Sequence, residues 1–297
     1  MRKQPKKKNQ NIYQIFGLNG TLNILEYKKK KIIRVDIMQG GVAERKPIVN
    51  KLIKTKSFPV HRLTKDIFLK KYSGKRTQGI VVTFEENIIQ NLPSFDKSSE
   101  YECLLVIDNL EDPQNLGQII RTAECANITG LLLPEHQSVQ LTDSVLQVSQ
   151  GAFIHLPIFR CGNLHQQLRT LKKEGFWIIG VENSVKAMQW HQLDYKRKLV
   201  LVMGSEGKGI RPVIVKACDE LITIPMQGKL NSLNVSSATS AILFERLRQL
   251  SISSNGWLVE HLSMGQPASV SQFVRRMELK KGELWEKKEK LLSRVKT

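Results

Sequence analysis

A repeated alternation in residues 101–250 constrains the fold most. Short, continuous apolar runs are each followed by a polar or glycine-rich stretch, and two helical patterns lie among them. We interpret the apolar runs as strands: Glu102–Ile107, Thr129–Leu133, Trp177–Val181, Leu199–Met203 and Leu221–Pro225. The predicted helices are Gln114–Ala126 and Val235–Leu250. Continuous apolar strands are typical of parallel sheets covered on both faces, so the pattern predicts an α/β, doubly wound domain.

A second, shorter alternation precedes it. It begins with an amphipathic helix, Leu18–Tyr27, and a strand, Ile32–Ile37. A second helix, Lys46–Lys56, is followed by a short strand near Val60, a third helix, Lys65–Tyr72, and a last strand, Gly79–Phe84. This order predicts a small α/β domain over residues 12–87. Residues 88–100 are rich in turn formers and are interpreted as a linker to the domain at 101–250.

The charge is distributed unevenly. The chain carries 46 Lys and Arg against 27 Asp and Glu, a net charge of +19. Residues 1–87 hold a net +15, residues 88–250 are neutral, and residues 251–297 hold +4. Residues 1–11 form a basic arm that we expect to be disordered. A whole basic domain favours nucleic acid as a partner, with an acidic membrane surface or a merely soluble basic surface as alternatives.

Composition excludes several other classes. The four cysteines are far apart and form no CxxC pair, so neither a zinc site nor a disulfide framework is expected. No apolar run approaches the roughly 20 residues that a membrane span requires. The basic N-terminus is not followed by the apolar segment of a secretory signal. We therefore expect a cytoplasmic protein without membrane or metal.

Three of the predicted strands are followed by unusual loops. The first reads DPQNLGQIIRTAE, the second LVMGSEGKG, and the third IPMQGKLNSLNVSSAT. Each alone has an ordinary interpretation: a capped helix with a surface arginine, a glycine turn, and a helix start with surplus N-cap residues. The second loop is neither a dinucleotide fingerprint nor a P-loop. Because ligands bind beyond the carboxyl ends of parallel strands, the three loops together indicate one site.

As a set, these segments resemble the three motifs of the SpoU class of RNA ribose 2′-O-methyltransferases, within the SPOUT superfamily. The likeness covers residues 101–249 and is greatest to bacterial members that methylate a guanosine ribose in 23S rRNA. It implies a trefoil-knotted methyltransferase domain, S-adenosyl-L-methionine as cofactor, and a homodimer with the active site built across its interface. Residues 12–84 also resemble the family's N-terminal substrate-binding domain, which has a ribosomal-protein-like α/β fold.

The resemblance also implies site residues. Carried over by motif position, the catalytic set is Arg121, Asn115, Glu206, Ser232 and Asn234. The cofactor-binding set is Gly204, Ile224, Met226 and Leu233. Arg121 corresponds to an arginine beside the target ribose, which has been assigned a role as base. Since arginine stays protonated in proteins, a positioning and electrostatic role is preferred.

Three functions remain open at this point: methylation of 23S rRNA, the same chemistry on tRNA, and a non-catalytic RNA-binding protein. The separate basic domain favours rRNA, and the complete set of motif residues disfavours the third. Residues 251–297 lie beyond the resemblance. The seven-residue spacing of Val270, Met277, Leu284 and Leu291 predicts an amphipathic helix, which could pack on its own core, bind a partner or bind RNA.

Overall fold

The computed structural model describes residues 11–27, 31–54, 58–98, 101–136, 138–205, 207 and 209–253. The predicted basic arm, except for its last residue, therefore lies outside the described residues, as does nearly all of the C-terminal extension. Glu206 and Lys208 of the second loop also lie outside. Within the described ranges, no helix is long and apolar enough to cross a membrane.

The first sheet has four strands in the order β1-β4-β2-β3. β1 and β2 pair antiparallel with β4, and β3 pairs parallel with β2 at the edge. The strands are β1 Ile12–Phe16, β2 Lys31–Met38, β3 Val60–Leu63 and β4 Ile80–Glu85. The helices are α1 Leu18–Glu26, α2 Pro47–Lys54 and α3 Lys65–Lys71. Gly74 and Gly79, in the turn before β4, both have positive φ, a conformation that glycine adopts without a steric penalty.

The two faces of this sheet are covered differently. Val35 and Val82 point to the large core that also contains residues of α1 and α2. Val81, one position along β4, belongs to a smaller cluster with Phe68 and Tyr72 of α3. Because successive side chains of a strand point to opposite faces, α3 covers the face opposite to that covered by α1 and α2.

Asp36 is fully buried on the α3 side of β2. Its carboxylate accepts hydrogen bonds from Lys71 Nζ at 2.7 Å and from the Tyr72 hydroxyl. Arg34 Nε lies 3.4 Å from Oδ2, and His61 Nδ1 lies 3.2 Å from Oδ1. Burial alone would raise the pKa of Asp36, but the hydrogen bonds from Lys71 and Tyr72 and the charges of Lys71 and Arg34 outweigh it, so the pKa lies below its ordinary value.

The second sheet has eight strands, and every pairing in it is parallel. Their spatial order is β10-β12-β9-β11-β6-β7-β8-β5. The strands are β5 Ile89–Gln90, β6 Cys103–Ile107, β7 Gly130–Pro134, β8 Ile158–Cys161, β9 Trp177–Val181, β10 Met188–Gln189, β11 Leu199–Met203 and β12 Glu220–Thr223. The helices are α4 Pro113–Cys125, α5 Asp143–Val148, α6 Leu164–Lys173, α7 Pro212–Val215 and α8 Val235–Ser253.

Helices cover both faces of the second sheet. Leu105 of β6 packs in the core that contains apolar residues of α4, α5 and α8. Its neighbours Leu104 and Val106 pack in a second core with residues of α6 and α7. Burial on both faces explains why β6 is apolar at every position.

The two sheets are joined by direct contacts between β1 and α5. The side-chain amide of Gln147 accepts a hydrogen bond from Phe16 N at 2.9 Å and donates one to Phe16 O at 2.8 Å. The rings of Phe84 and Phe153 stack with centroids 5.9 Å apart. Residues of both sheets belong to one hydrophobic core, so deleting residues 1–87 would expose apolar surface of the second half.

The predicted α/β architecture is confirmed: a small mixed sheet precedes a parallel sheet covered on both faces. β9 and β11 have the bounds that the sequence predicts. The sequence did not predict β1, β8 or α6, whose shorter or more polar patterns carry a weaker signal. Ile89–Gln90, inside the predicted linker, forms an edge strand of the second sheet. The trefoil knot stays a prediction.

The Asp36 network should make stability depend on acid pH. Because the pKa of Asp36 is lowered by folding, its contribution is complete above the ordinary value near 3.8 and is lost as the pH falls through the lowered value. We expect Asp36→Asn to reduce the free energy of unfolding by about 1–3 kcal/mol at pH 7, and by less at pH 3. Urea unfolding of both proteins at the two pH values measures this, and an equal difference at both would contradict it.

Candidate active site

The three predicted loops meet at one edge of the second sheet. The register aligns Ile107 of β6 with Met203 of β11, and Met203 with Val181 of β9. Val181 in turn aligns with Ile222 of β12. Since all four strands are parallel, the segments that follow them emerge side by side at their carboxyl ends. Doubly wound sheets bind ligands at this position. We call the carboxyl ends of β6, β9, β11 and β12, with the loops that follow them, the functional edge.

A buried ion pair connects the first loop with the second. Asp108, directly after β6, is completely buried. Its carboxylate accepts hydrogen bonds from the backbone N–H of Arg211 at 3.0 Å and from Arg211 Nε at 2.9 Å, while Nη2 lies 2.7 Å away. Such a charge-assisted, multiple contact fixes the position of both backbones. The pair therefore positions the end of the glycine loop relative to the start of the first loop.

The glycine loop folds back on itself directly after β11. Ser205 and Gly209 exchange backbone hydrogen bonds of 3.2 and 3.1 Å. A Cβ atom at Gly204 would lie 2.2 Å from the carbonyl carbon of Gly209 and 2.4 Å from Ile210 N, so only glycine fits there. The carboxylate of Glu182 accepts a 3.1 Å hydrogen bond from Ile210 N–H and holds the loop from the end of β9.

The third loop, residues 224–234, contacts the first through amide side chains. Asn234 Nδ2 donates to Asn115 Oδ1 at 3.0 Å, so two of the predicted catalytic residues are in contact. Asn234 Oδ1 also accepts from Ser236 N–H at 2.8 Å, as expected for a residue that caps the start of α8. Asn183, after β9, donates to the carbonyl of Asn231 at 2.7 Å. The loop is therefore held from both sides.

Arg121 lies on the exposed side of α4. Asp112 caps this helix by accepting a 2.8 Å hydrogen bond from Gln114 N–H, with Pro113 as the first helical residue. Asn127 follows the helix with φ of 50°, a left-handed conformation that asparagine tolerates better than most residues. The ordered helix fixes where Arg121 projects and leaves its guanidinium accessible to a substrate.

The other predicted residues are dispersed along this edge. Ser232 is exposed on the third loop, and Glu206 lies outside the described residues. Of the predicted cofactor-binding residues, Gly204 follows β11, and Ile224 follows β12; β9 lies between these two strands. Met226 is half-buried, whereas the side chain of Leu233 is 44% exposed although it is apolar.

These residues fit an S-adenosylmethionine site. Adenine is recognised through backbone groups and apolar contacts, which the loop backbones, Met226 and Leu233 can supply. The hydroxyl of Ser205 is buried without a hydrogen-bond partner among the described residues, so a polar partner could be accommodated beside Gly204. A buried polar group of this kind is the expected mark of a site that a ligand completes.

Cys218 gives no support for covalent catalysis at this edge. Its thiol donates to the Ile214 carbonyl at 3.3 Å. Burial raises the pKa of Cys218 to about 12, and nearby carboxylates, Asp219 first among them, act in the same direction. At neutral pH it is a neutral thiol, whereas the nucleophilic form of cysteine is the thiolate.

Comparison with known proteins identifies the family. The model of the SpoU rRNA Methylase family matches residues 102–244. The 23S rRNA (guanosine-2′-O-)-methyltransferase RlmB of Shewanella oneidensis is 34% identical over 238 residues, which are 79% of this chain and 96% of that protein. The chain belongs to the SpoU rRNA methylase family.

Two further proteins, one compared by sequence and one by structure, are also similar to this chain. A protein of Staphylococcus saprophyticus, named as a TrmH family tRNA/rRNA methyltransferase, is 41% identical over 146 residues, which are 49% of this chain and 58% of that protein. The crystal structure of an AdoMet-bound rRNA methyltransferase from Sinorhizobium meliloti has a TM-score of 0.67 and 24% identity. It covers 81% of this chain and 88% of that one, so most of this chain shares the fold of that structure.

The structure adds residues that the sequence did not single out. The side chain of Arg211 contacts the carboxylate of Asp108, and the carboxylate of Glu182 accepts a hydrogen bond from the backbone of Ile210. Gln118 accepts a 2.8 Å hydrogen bond from Ser236 Oγ. Neither Arg211 nor Glu182 lies at a spacing that would reveal its partner, because their contacts span 103 and 28 residues of sequence. The isolated acidic residues after β6 and β9 were the only available signal.

The backbone at Gly204 lies so close to that of Gly209 and Ile210 that adding one methyl group should disturb the glycine loop. We expect Gly204→Ala to weaken S-adenosylmethionine binding at least about tenfold, because the backbone of the glycine loop must move to admit the Cβ. Gly228→Ala, in the third loop, is the matched control, since a Cβ at Gly228 would have no atom within 4 Å. Calorimetric titration with the cofactor measures both variants, and equal affinities would contradict the prediction.

Proposed function

We propose that this protein transfers a methyl group from S-adenosyl-L-methionine to the ribose 2′-hydroxyl of a guanosine in 23S rRNA. The observation that carries the proposal is the convergence of the three motif segments at one sheet edge, with Asn115 and Asn234 in direct contact. The RlmB relative, whose name states this reaction, aligns with 96% of its own length. The test is methyl transfer to purified rRNA and tRNA, mapped to the nucleotide.

The extent of the similarity favours rRNA over tRNA. The relative named as a tRNA/rRNA methyltransferase aligns with 49% of this chain. The relative named for 23S rRNA alone aligns with 79% and so extends into the basic N-terminal segment. That segment carries the net charge of +15 that a polyanion would neutralise. Methylation of tRNA with no transfer to rRNA would reverse the assignment.

The cofactor supplies an activated methyl group bound to a sulfonium. Gly204, Ile224, Met226 and Leu233 would hold it, largely through their backbone groups. The remaining work of the chain is to align the ribose hydroxyl, to assist loss of its proton and to stabilise the charge that develops on its oxygen. Arg121 serves the last purpose: it is exposed and permanently charged, so it positions the phosphate or ribose electrostatically rather than accepting a proton.

The other predicted catalytic residues position the third loop, the ribose or Arg121. Asn115 and Asn234 form a contact that fixes the third loop against α4, and Ser232, two residues before Asn234, is exposed where a ribose could reach it. We assign Glu206 the task of orienting Arg121 or the RNA. The predicted trefoil knot would bring the second and third loops together around the cofactor.

We further propose a homodimer that uses α4 and α8. The two helices run parallel, since Gln118 contacts Ser236 and Thr122 contacts Ser240. Continuing this register by one turn places Phe244 beside the end of α4, near Cys125. Phe244 is 47% exposed, and Cys125 is also exposed. These two residues therefore leave apolar surface on the α4–α8 helix pair, one helical turn from Arg121.

Removing the Arg121 charge should stop the reaction and leave cofactor binding intact. We expect Arg121→Ala to reduce methyl transfer about 100-fold or more, because a charge that stabilises the transition state is lost. Arg169→Ala, an exposed arginine of α6, is the matched control and should retain activity. Calorimetry with S-adenosylmethionine separates the alternatives: wild-type protein that gives no binding would favour a non-catalytic RNA-binding protein, and full activity of Arg121→Ala would refute its role.

The dimer can be tested through Phe244. We expect Phe244→Asp to yield a monomer with little methyl transfer, because a buried charge opposes association and the site would lack its partner. Sedimentation velocity and the methylation assay measure the two consequences. Monomeric wild-type protein that is fully active would contradict the proposed assembly.

A further inference from the structure

Three basic side chains lie against the carboxylate of Asp36 and are nevertheless partly exposed to solvent. The buried carboxylate contacts Arg34 from its own strand, His61 from β3, and Lys71 from the end of α3. The side chains of Arg34, His61 and Lys71 remain 35%, 51% and 36% exposed. Lys71 is hydrogen-bonded to the carboxylate, whereas Arg34 Nε and Asp36 Oδ1 have no hydrogen-bond partner among the described residues. Arg34 and His61 lie beside the carboxylate, and all three side chains keep one side open to solvent.

A carboxylate is expensive to bury, and its cost is offset here by groups from three elements. Long basic side chains lose rotamer freedom when they bind a ligand. Contacts with Asp36 remove part of that freedom beforehand, so these cations are preorganised. A surface intended only for solubility would not require such an arrangement.

The surroundings are basic rather than neutral. Lys65 and Lys70 are exposed on α3, the same helix as Lys71. Arg62, the neighbour of His61 on β3, points to the opposite face of the sheet. Besides Asp36, the acidic residues on this side include Asp66 on α3 and Glu85, which lies on the same face of β4 as Val81 and pairs with Lys31 Nζ at 2.6 Å. β3 is also the edge strand opposite β1, the strand that contacts the second sheet. The cluster on β2 and β3 therefore lies two to three strand spacings, or about 10–14 Å, from β1.

We propose that Arg34, His61 and Lys71, held in place by Asp36, form a site for the phosphodiester backbone of the RNA substrate. The site rests on the proposed function, since it concerns how that RNA is bound. Arg34 and Lys71 supply fixed positive charge, and His61 supplies an imidazole N–H.

Charge removal at matched positions tests the site. Arg34→Gln and Lys71→Gln are compared with Lys54→Gln, an exposed lysine of α2 on the opposite face of the same sheet. Binding of a 23S rRNA transcript is measured by filter retention from 50 to 300 mM KCl. We expect the first two substitutions each to weaken binding about tenfold and to reduce the salt dependence by about one released ion, and Lys54→Gln to do neither.

Equal effects of all three substitutions would overturn the proposal in favour of diffuse attraction. Asp36→Asn gives a second, independent test, because it raises the net charge by one. Diffuse attraction would then bind RNA more tightly, whereas loss of preorganisation should weaken binding. Thermal unfolding confirms that each variant is folded, and tighter or unchanged binding by folded Asp36→Asn would also overturn the proposal.

The outcome is distinguishable from failure of the proposed function. Wild-type protein that methylates rRNA, with Arg34→Gln and Lys71→Gln binding RNA as it does, refutes only the phosphodiester site. Wild-type protein that neither binds nor methylates the transcript refutes both. With saturating RNA, the two variants should recover the wild-type maximal rate, because neither residue lies at the functional edge of the second sheet.

Discussion

The carboxylate of Asp108 is the constraint on which the functional edge depends. It is completely buried at the end of β6 and is neutralised by Arg211, which lies 103 residues further along the chain. A buried charge without its partner would be strongly destabilising, so the glycine loop must return to β6 for the domain to be stable. The Glu182 contact with Ile210 N–H then fixes the same loop from β9. The close backbone crossing at Gly204 follows from these two anchors.

The third segment is held by weaker but directional contacts. Asn234 joins Asn115 across 119 residues of sequence, and Asn183 holds the backbone at Asn231. Neutral amide hydrogen bonds contribute only about 0.5–1.5 kcal/mol each, so this loop is less firmly fixed than the glycine loop. A loop that must admit a cofactor and a ribose benefits from such graded stability, because the sheet below it stays rigid.

The first sheet, in the basic half of the chain, packs directly against the second half. Gln147 closes a backbone-like pair of hydrogen bonds with Phe16, and Phe153 stacks on Phe84. The described part of the basic segment is therefore oriented relative to the neutral half, which carries the site. An RNA bound by the first sheet would meet the second in one orientation, which suits an enzyme that must select one hydroxyl among many.

The sequence by itself determined the α/β class, the strands β9 and β11, and the three loops, because continuous apolar runs and glycine-rich turns are local signals. The resemblance added a list of site residues, of which the structure brings Asn115 and Asn234 into contact. Only the tertiary structure decided that Arg211 pairs with Asp108, that Glu182 holds the glycine loop, and that Arg34, His61 and Lys71 lie around Asp36. The physical reason is that a charged side chain has no intrinsic periodicity: its partner is decided by which strands and helices pack side by side.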